Sequence, residues 1–297
     1  MKSKRSTRRW SWILLPLGAL LASAAPAWGQ DARQIMRWVE AVENGQTQLS
    51  RQKVATCRYR IKSRRIVCAE QPRVKETIAV RMDYGIDGKD TRSVMFLLEP
   101  PGERGIGFLQ YDYHDPGRAT EQWMYLPALG KVRRLITGDA DQPNSGSLFG
   151  SELSYEDLER PHLEDFVFTL EKTGTFAGRP CWVIARRPTP RHAAKSSYSK
   201  ALLWVDRERL LVLKTQLYDR RGRPLKQITV NEVRRIEKIW VVMRMTVNNV
   251  QTRRITTLKW RDVALNVPVD GAFFAPRILT DAAFREAGIK RMRTHLR

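Results

Sequence analysis

Histidine, cysteine and acidic residues are all in short supply in this 297-residue chain, and each shortage removes a class of function. The four histidines, His114, His162, His192 and His295, stand far apart, each near a Pro or an Arg. That placement fits solvated loops, not a metal or acid–base cluster. The three cysteines, Cys57, Cys68 and Cys181, follow no zinc-ligand spacing. No nucleophile elbow, P-loop, dinucleotide fingerprint or calcium loop occurs. Asp139 and Asp141 form a D-x-D, a pattern too common to signify a metal. No catalytic group, cofactor or metal is therefore expected, and the chain does not read as an enzyme.

Acids number 31 against 53 Lys and Arg, a formal net charge of +22. The cations run from Arg33 to Arg297 and are not confined to a tail. Such a chain is drawn to anionic surfaces: phospholipid headgroups, lipopolysaccharide or an acidic partner. Nucleic acid would satisfy the charge, but an exported protein rarely meets it, so it is not an expected partner.

Long apolar runs are lacking as well. The one candidate, "WSWILLPLGALLASAAPAW", is too short and too broken by Pro and Ala for a comfortable membrane span. Lys2, Lys4, Arg5, Arg8 and Arg9 precede it, and Ala27-Trp28-Gly29 puts small residues where a signal peptidase reads. Residues 1–29 are expected to be a cleaved Sec-type signal peptide, with an uncleaved anchor helix as the other reading. Residues 30–297 then form one domain in the periplasm. An oxidising compartment permits a Cys57–Cys68 bridge, whose short loop is worth about 2–3 kcal/mol on the entropic account. Cys181, inside the apolar "CWVIA", reads as a buried free thiol.

What the chain has in quantity is β grammar. "DARQIMRWVEAVENG" is a helix over residues 31–45, with Asp31 to cap it and Gly45 to end it. From Lys53 onward, short runs rich in β-branched and aromatic residues alternate with Asp-Gly and Pro-Gly turns. The connections are short, so neighbouring strands are antiparallel. The fold class predicted is mainly β: a single large antiparallel sheet of about eleven strands, which at that size must curl or close. Gly150–Arg160 reads as a second short helix, started by Glu156, Asp157 and Glu159, whose charges face Lys131, Arg133 and Arg134. Two short helices cannot cover the apolar concave face of such a sheet.

The run "WMYLPALGKVRRL" followed by "SLFGSELSYEDL" is specific in that order. With "FAGRPCWVIARRP" and "IWVVMRMTVNN", it resembles the exported outer-membrane lipoprotein-sorting proteins, the LolA-like periplasmic carriers of the type associated with RND exporters. The resemblance covers Asp31 to Phe274. Its motif positions here are Trp123, Tyr125, Leu126, Pro127, Lys131, Val132, Arg133 and Arg134. They continue at Phe149, Gly150, Ser151, Ser154, Tyr155, Glu156 and Asp157. The resemblance implies a half-open barrel that holds the acyl chain of a lipoprotein or lipid on its way to the outer membrane, without catalysis. A second reading is a non-catalytic adaptor subunit of an RND-type inner-membrane exporter. Phe108, Trp123, Tyr125, Leu126, Val132, Phe149, Trp240 and Trp260 are expected to line the cavity. Lys131, Arg133 and Arg134 are expected at its mouth, facing an anionic headgroup, an acidic partner or an anionic membrane surface.

Overall fold

The computed structural model describes residues 31–85, 88–135 and 146–296. The expected signal peptide, the D-x-D and most of the polar loop after Leu135 lie outside the described residues.

Helix α1 (Ala32–Glu40) starts where the Asp31 carboxylate accepts the Arg33 amide at 3.0 Å, and it buries Ala32, Ile35 and Met36. After it come β1 (Thr47–Lys62), β2 (Arg65–Cys68), β3 (Arg73–Tyr84), β4 (Asp90–Glu99), β5 (Gly107–Asp112), β6 (Glu121–Leu126) and β7 (Lys131–Leu135). The second run is β8 (Phe166–Phe176), β9 (Arg179–Pro188), the one-turn helix α2 (Pro190–Ala193), β10 (Tyr198–Asp206), β11 (Val212–Asp219), β12 (Pro224–Ile236), β13 (Ile239–Asn249) and β14 (Arg254–Leu265).

These fourteen strands form one antiparallel sheet in the order β7-β6-β5-β4-β3-β1-β14-β13-β12-β11-β10-β9-β8, with β2 added onto the far end of β1. The sheet is not closed: β7 and β8 are its edges. The two halves of the chain are therefore two meanders, joined at the centre by β1 against β14. β1 is the strand that alternation does not reveal. Between β3 and β14 it buries Leu49 and Val54 but also Thr47, Ser50, Gln52 and Thr56, so polar residues interrupt its core positions and no hydrophobic period stands out. Thr47 Oγ1 donates to the Val267 carbonyl at 2.6 Å, and the Thr56 and Thr256 hydroxyls meet at 2.8 Å.

Beyond Lys62 the chain turns back through Ser63 and Arg64, both at positive φ, as a two-residue hairpin of the primed type requires. Cys57 and Cys68 are joined by a disulfide, Cα–Cα 5.8 Å, which staples this hairpin; Cys181 is free and buried.

The face of β3–β6 on which Ile78, Val80, Val94, Phe96 and Leu109 lie is covered by the C-terminal segment. Turns at Gly271–Phe274 and Pro276–Leu279 lead into α3 (Ala282–Arg293), capped by Asp281, and bury Phe273, Phe274, Ile278, Leu279, Ile289 and Met292 there. Gly107 is required by this packing: a Cβ would stand 2.7 Å from the Phe96 ring and 2.9 Å from Leu279. Each fully buried Phe or Leu contributes about 1.5–3 kcal/mol. This outer cover was not expected from sequence, which showed only two helical segments.

Candidate functional site

The opposite, concave face is crossed by residues 146–160, the stretch holding the second sequence motif. It is not the expected helix but a tight double turn. Leu148 N and Leu153 O bond at 2.9 Å, Tyr155 N reaches Gly146 O at 2.9 Å, and Phe149 and Gly150 both have positive φ. A left-handed Phe costs roughly 1–3 kcal/mol. Burial of Leu148, Leu153 and Tyr155, with Phe149 against them, offsets it. The Tyr155 ring stacks on Phe108 at 5.8 Å, and a Cβ on Gly146 would overlap that tyrosine ring at 2.3 Å.

Polar bonds tie this plug to both arms of the curled sheet. On one side Gln110 Nε2 donates to Leu158 O at 2.8 Å and Gln122 Nε2 to Tyr155 O at 3.1 Å. On the other, Lys226 Nζ meets Asp157 Oδ2 at 2.8 Å, and Tyr198 OH donates to Asp157 Oδ1 at 2.6 Å. Burial, then the charge of Asp157, push the Tyr198 pKa well up, so it stays a donor. Glu156 accepts from Ser196 Oγ and from Ser197 N, and Glu152 from Arg254 Nε at 2.6 Å and Asn249 Nδ2 at 3.0 Å. Glu156 and Asp157 thus face β10 and β12. The expectation that they answer Lys131, Arg133 and Arg134 is corrected: motif spacing does not say which strand a loop returns to.

The plug divides the concave face. On the side of β1, β3, β4 and β5 it leaves a cavity of about 240 Å³, lined by Gln52, Met95, Phe108, Gln110, Leu148 and Trp260 among others. On the side of β9–β12, where α1 and residues 156–166 form the roof, a larger cavity of about 460 Å³ remains. The register sets two rows of side chains beneath it, and of these Leu203, Thr215, Ile228, Arg186, Ala201 and Leu217 form its floor. Leu170, Ile184, Leu203, Thr215, Ile228 and Val247 lie abreast across six strands and form one row. The adjacent row is Phe168, Arg186, Ala201, Leu217, Lys226 and Asn249. The Arg186 guanidinium lies over the Phe166 ring at 4.6 Å. Burial lowers its pKa, against the opposing pull of Glu156 and Asp157. His192, also at this cavity, is lowered chiefly by burial although Asp165 stands 3.5 Å away.

Of the eight residues expected to line one cavity, the structure gathers three. Phe108, Phe149 and Trp260 meet around the plug. Trp123 and Tyr125 pair with Leu109 and Gly107 and pack under the C-terminal cover, on the other face. Val132 pairs with Tyr125 and is exposed. Leu126 ends β6 and lines neither cavity. Trp240 alternates with the buried Ile239 and Val241, so it faces outward, beneath Arg209 at 4.3 Å. Lys131, Arg133 and Arg134 are exposed on the edge strand β7 and line neither cavity; Arg134 pairs with Glu121. The larger cavity went unseen in the sequence. Its floor residues are ordinary strand residues, and only the inter-strand register sets them abreast. Among the described residues, no group of three or more His, Cys, Asp or Glu could hold a metal, and no helix is long and apolar enough to cross a membrane.

A family described only as "Uncharacterized protein" matches residues 89–281. No curated protein matches the sequence. Among solved structures, a DUF1329 family protein from Desulfovibrio piger is similar at 23% identity and TM-score 0.73, over 84% of this chain and 97% of that one. An outer membrane lipoprotein-sorting protein domain from Vibrio parahaemolyticus is similar at 24% identity and TM-score 0.73, over 84% and 98%. A LolA superfamily protein from Nitrosomonas europaea follows at 16% identity and TM-score 0.60, over 82% and 97%. These likenesses establish the fold.

Proposed function

Because the chain belongs to the uncharacterized family matched over residues 89–281 and has the fold of lipoprotein-sorting proteins, we propose that it is a non-catalytic periplasmic carrier of an acyl chain. The observation that supports this most is the 460 Å³ cavity above an apolar floor. That volume falls within the roughly 300–1,000 Å³ usual for ligand sites. A buried methylene gains about 0.8 kcal/mol over water, but a bilayer offers the same gain. A carrier therefore competes with a membrane only if its cavity exists before the cargo arrives, and here it does. An adaptor subunit of an RND exporter needs no such space, so the cavity favours the carrier reading over that one.

The surface that suits an anionic membrane is the β1–β2 hairpin. Ile61 and Ile66 pair across it at 73% and 46% exposure, and Arg58, Arg60, Lys62, Arg64 and Arg65 are exposed around them. Each such cation near an anionic surface is worth about 1 kcal/mol. Ile61→Ser/Ile66→Ser should weaken binding to phosphatidylglycerol vesicles.

Native mass spectrometry of the protein purified from its own periplasm tests the carrier reading: a bound lipid is expected. A protein that arrives empty, and stays empty after incubation with an envelope lipid extract, would overturn it.

A further inference from the structure

One register row holds two inward-pointing cations, Arg186 at the larger cavity and Lys226 against the plug, and they are not treated alike. Lys226 is neutralised by Asp157 and also meets Tyr198 OH at 3.0 Å and Ser154 Oγ at 3.2 Å. Arg186, three strands further on in β9, makes no hydrogen bond or ion pair within contact distance of any described residue; its one close partner is the Phe166 ring. The acids nearby are already engaged. Glu156 accepts from Ser196 and Ser197, Asp157 from Lys226, Tyr198 and the Ser154 amide, and Asp165 faces His192. Arg160, at the same cavity, is held by Glu40 and the Lys89 carbonyl.

Stacking on an aromatic face fixes a guanidinium while leaving its N–H edge free, and that edge is shaped for a two-oxygen anion. A half-buried cation without a partner is costly unless something supplies the counter-charge. Beside it lie Ala201, Leu203 and Leu217, a surface for hydrocarbon.

We propose that Arg186 is the headgroup anchor of this cavity, and that the cargo is an anionic amphiphile. Its carboxylate or phosphate pairs with the guanidinium, and its chain lies along the Leu203–Ile228 row. The proposal rests on the carrier reading and deepens it. Sequence gives no sign of this residue, because "ARRP" reads as surface charge until the register turns Arg186 inward and Arg187 out.

The test uses the full chain and three probes of equal length: palmitate, hexadecyl phosphate and uncharged hexadecanol, titrated calorimetrically. At least one anion should bind at least about tenfold tighter than hexadecanol, as a charge-assisted pair implies. Which anion leads distinguishes carboxylate from phosphate. Arg186→Gln should erase that preference and leave hexadecanol affinity within about twofold. A wild-type ratio near one, or a ratio unchanged in Arg186→Gln, overturns the anchor while leaving the carrier intact. If none of the three binds, the carrier reading itself fails. A second measurement needs no variant. The carboxyl signal of carbon-13 palmitate bound to the wild type should stay ionised as pH falls past the range where the free acid protonates. Protonation in the ordinary range overturns the proposal.

Discussion

The two arms of the sheet share a grammar and have opposite fates. In the first, β3–β6 are covered on the outer face by the C-terminal segment and pressed on the inner face by the plug, leaving about 240 Å³. In the second, β9–β12 have no covering element outside among the described residues. Their outer face is shaded by its own side chains, as where Lys214 lies over Trp204 at 4.4 Å. Their inner face meets α1, which packs on Trp182 and Ile184 but leaves 460 Å³ toward β11 and β12. Alternation says that alternate residues share a face. It does not say how closely a lid approaches that face. The first arm is where stability resides and the second is where space resides.

That division is breakable. The largest effect belongs to the first arm: Phe274→Ala, at a site with no exposure, should cost about 3–5 kcal/mol in denaturant unfolding. Probe affinity at 460 Å³ should survive among the folded molecules; its loss would show that the arms are one cooperative site. Next is the tie between plug and second arm. Lys226→Ala leaves Asp157, only 2% exposed, without its cation, and should cost about 3 kcal/mol. A cost below about 1 kcal/mol would mean that Tyr198 and the Ser154 amide hold the plug unaided.

A smaller effect tests the polar end of the second arm. Asp206, fully buried, bonds Arg179 Nε at 2.9 Å and the amides of Glu208 and Arg209. Burial opposes its ionisation, yet those donors hold its pKa below the ordinary value. Its contribution is therefore complete above the unfolded value of about 4 and is lost as pH falls through the lower folded value. Asp206→Asn should cost about 2 kcal/mol at neutral pH and flatten the acid limb of a stability-versus-pH curve; an unchanged limb would remove Asp206 from it. The smallest effect on stability is the sharpest on function. Ala201→Leu adds volume to the cavity floor; because Ala201 is buried, the crowding should cost about 1 kcal/mol while weakening probe binding. Unchanged binding would place the cargo elsewhere.

Most strands were legible because their apolar residues alternate between recognisable turns. β1 was not, because Ser50, Gln52 and Thr56 interrupt Leu49 and Val54 among its buried positions and no clear hydrophobic period shows. α3 was missed for a related reason: it buries Gly288, Ile289 and Met292, which make no clear stripe. The site was legible only in part. Phe149, Tyr155 and Asp157 stood out as a motif. Trp123 and Tyr125 were put on the wrong face because large aromatics suggest a pocket, whereas their face is set by registration with Leu109 and Gly107. Arg186 needed the register of five strand pairs to become visible.

The three exposed cations of β7 have a consequence that needs no ligand. β7 ends the sheet, and a terminal strand offers its backbone to any strand that meets it, including the same strand of another copy. Two β7 strands brought together would oppose Lys131, Arg133 and Arg134 with their own like charges. This repulsion works as a solubility device: it keeps an unclosed sheet from growing edge to edge into a fibre.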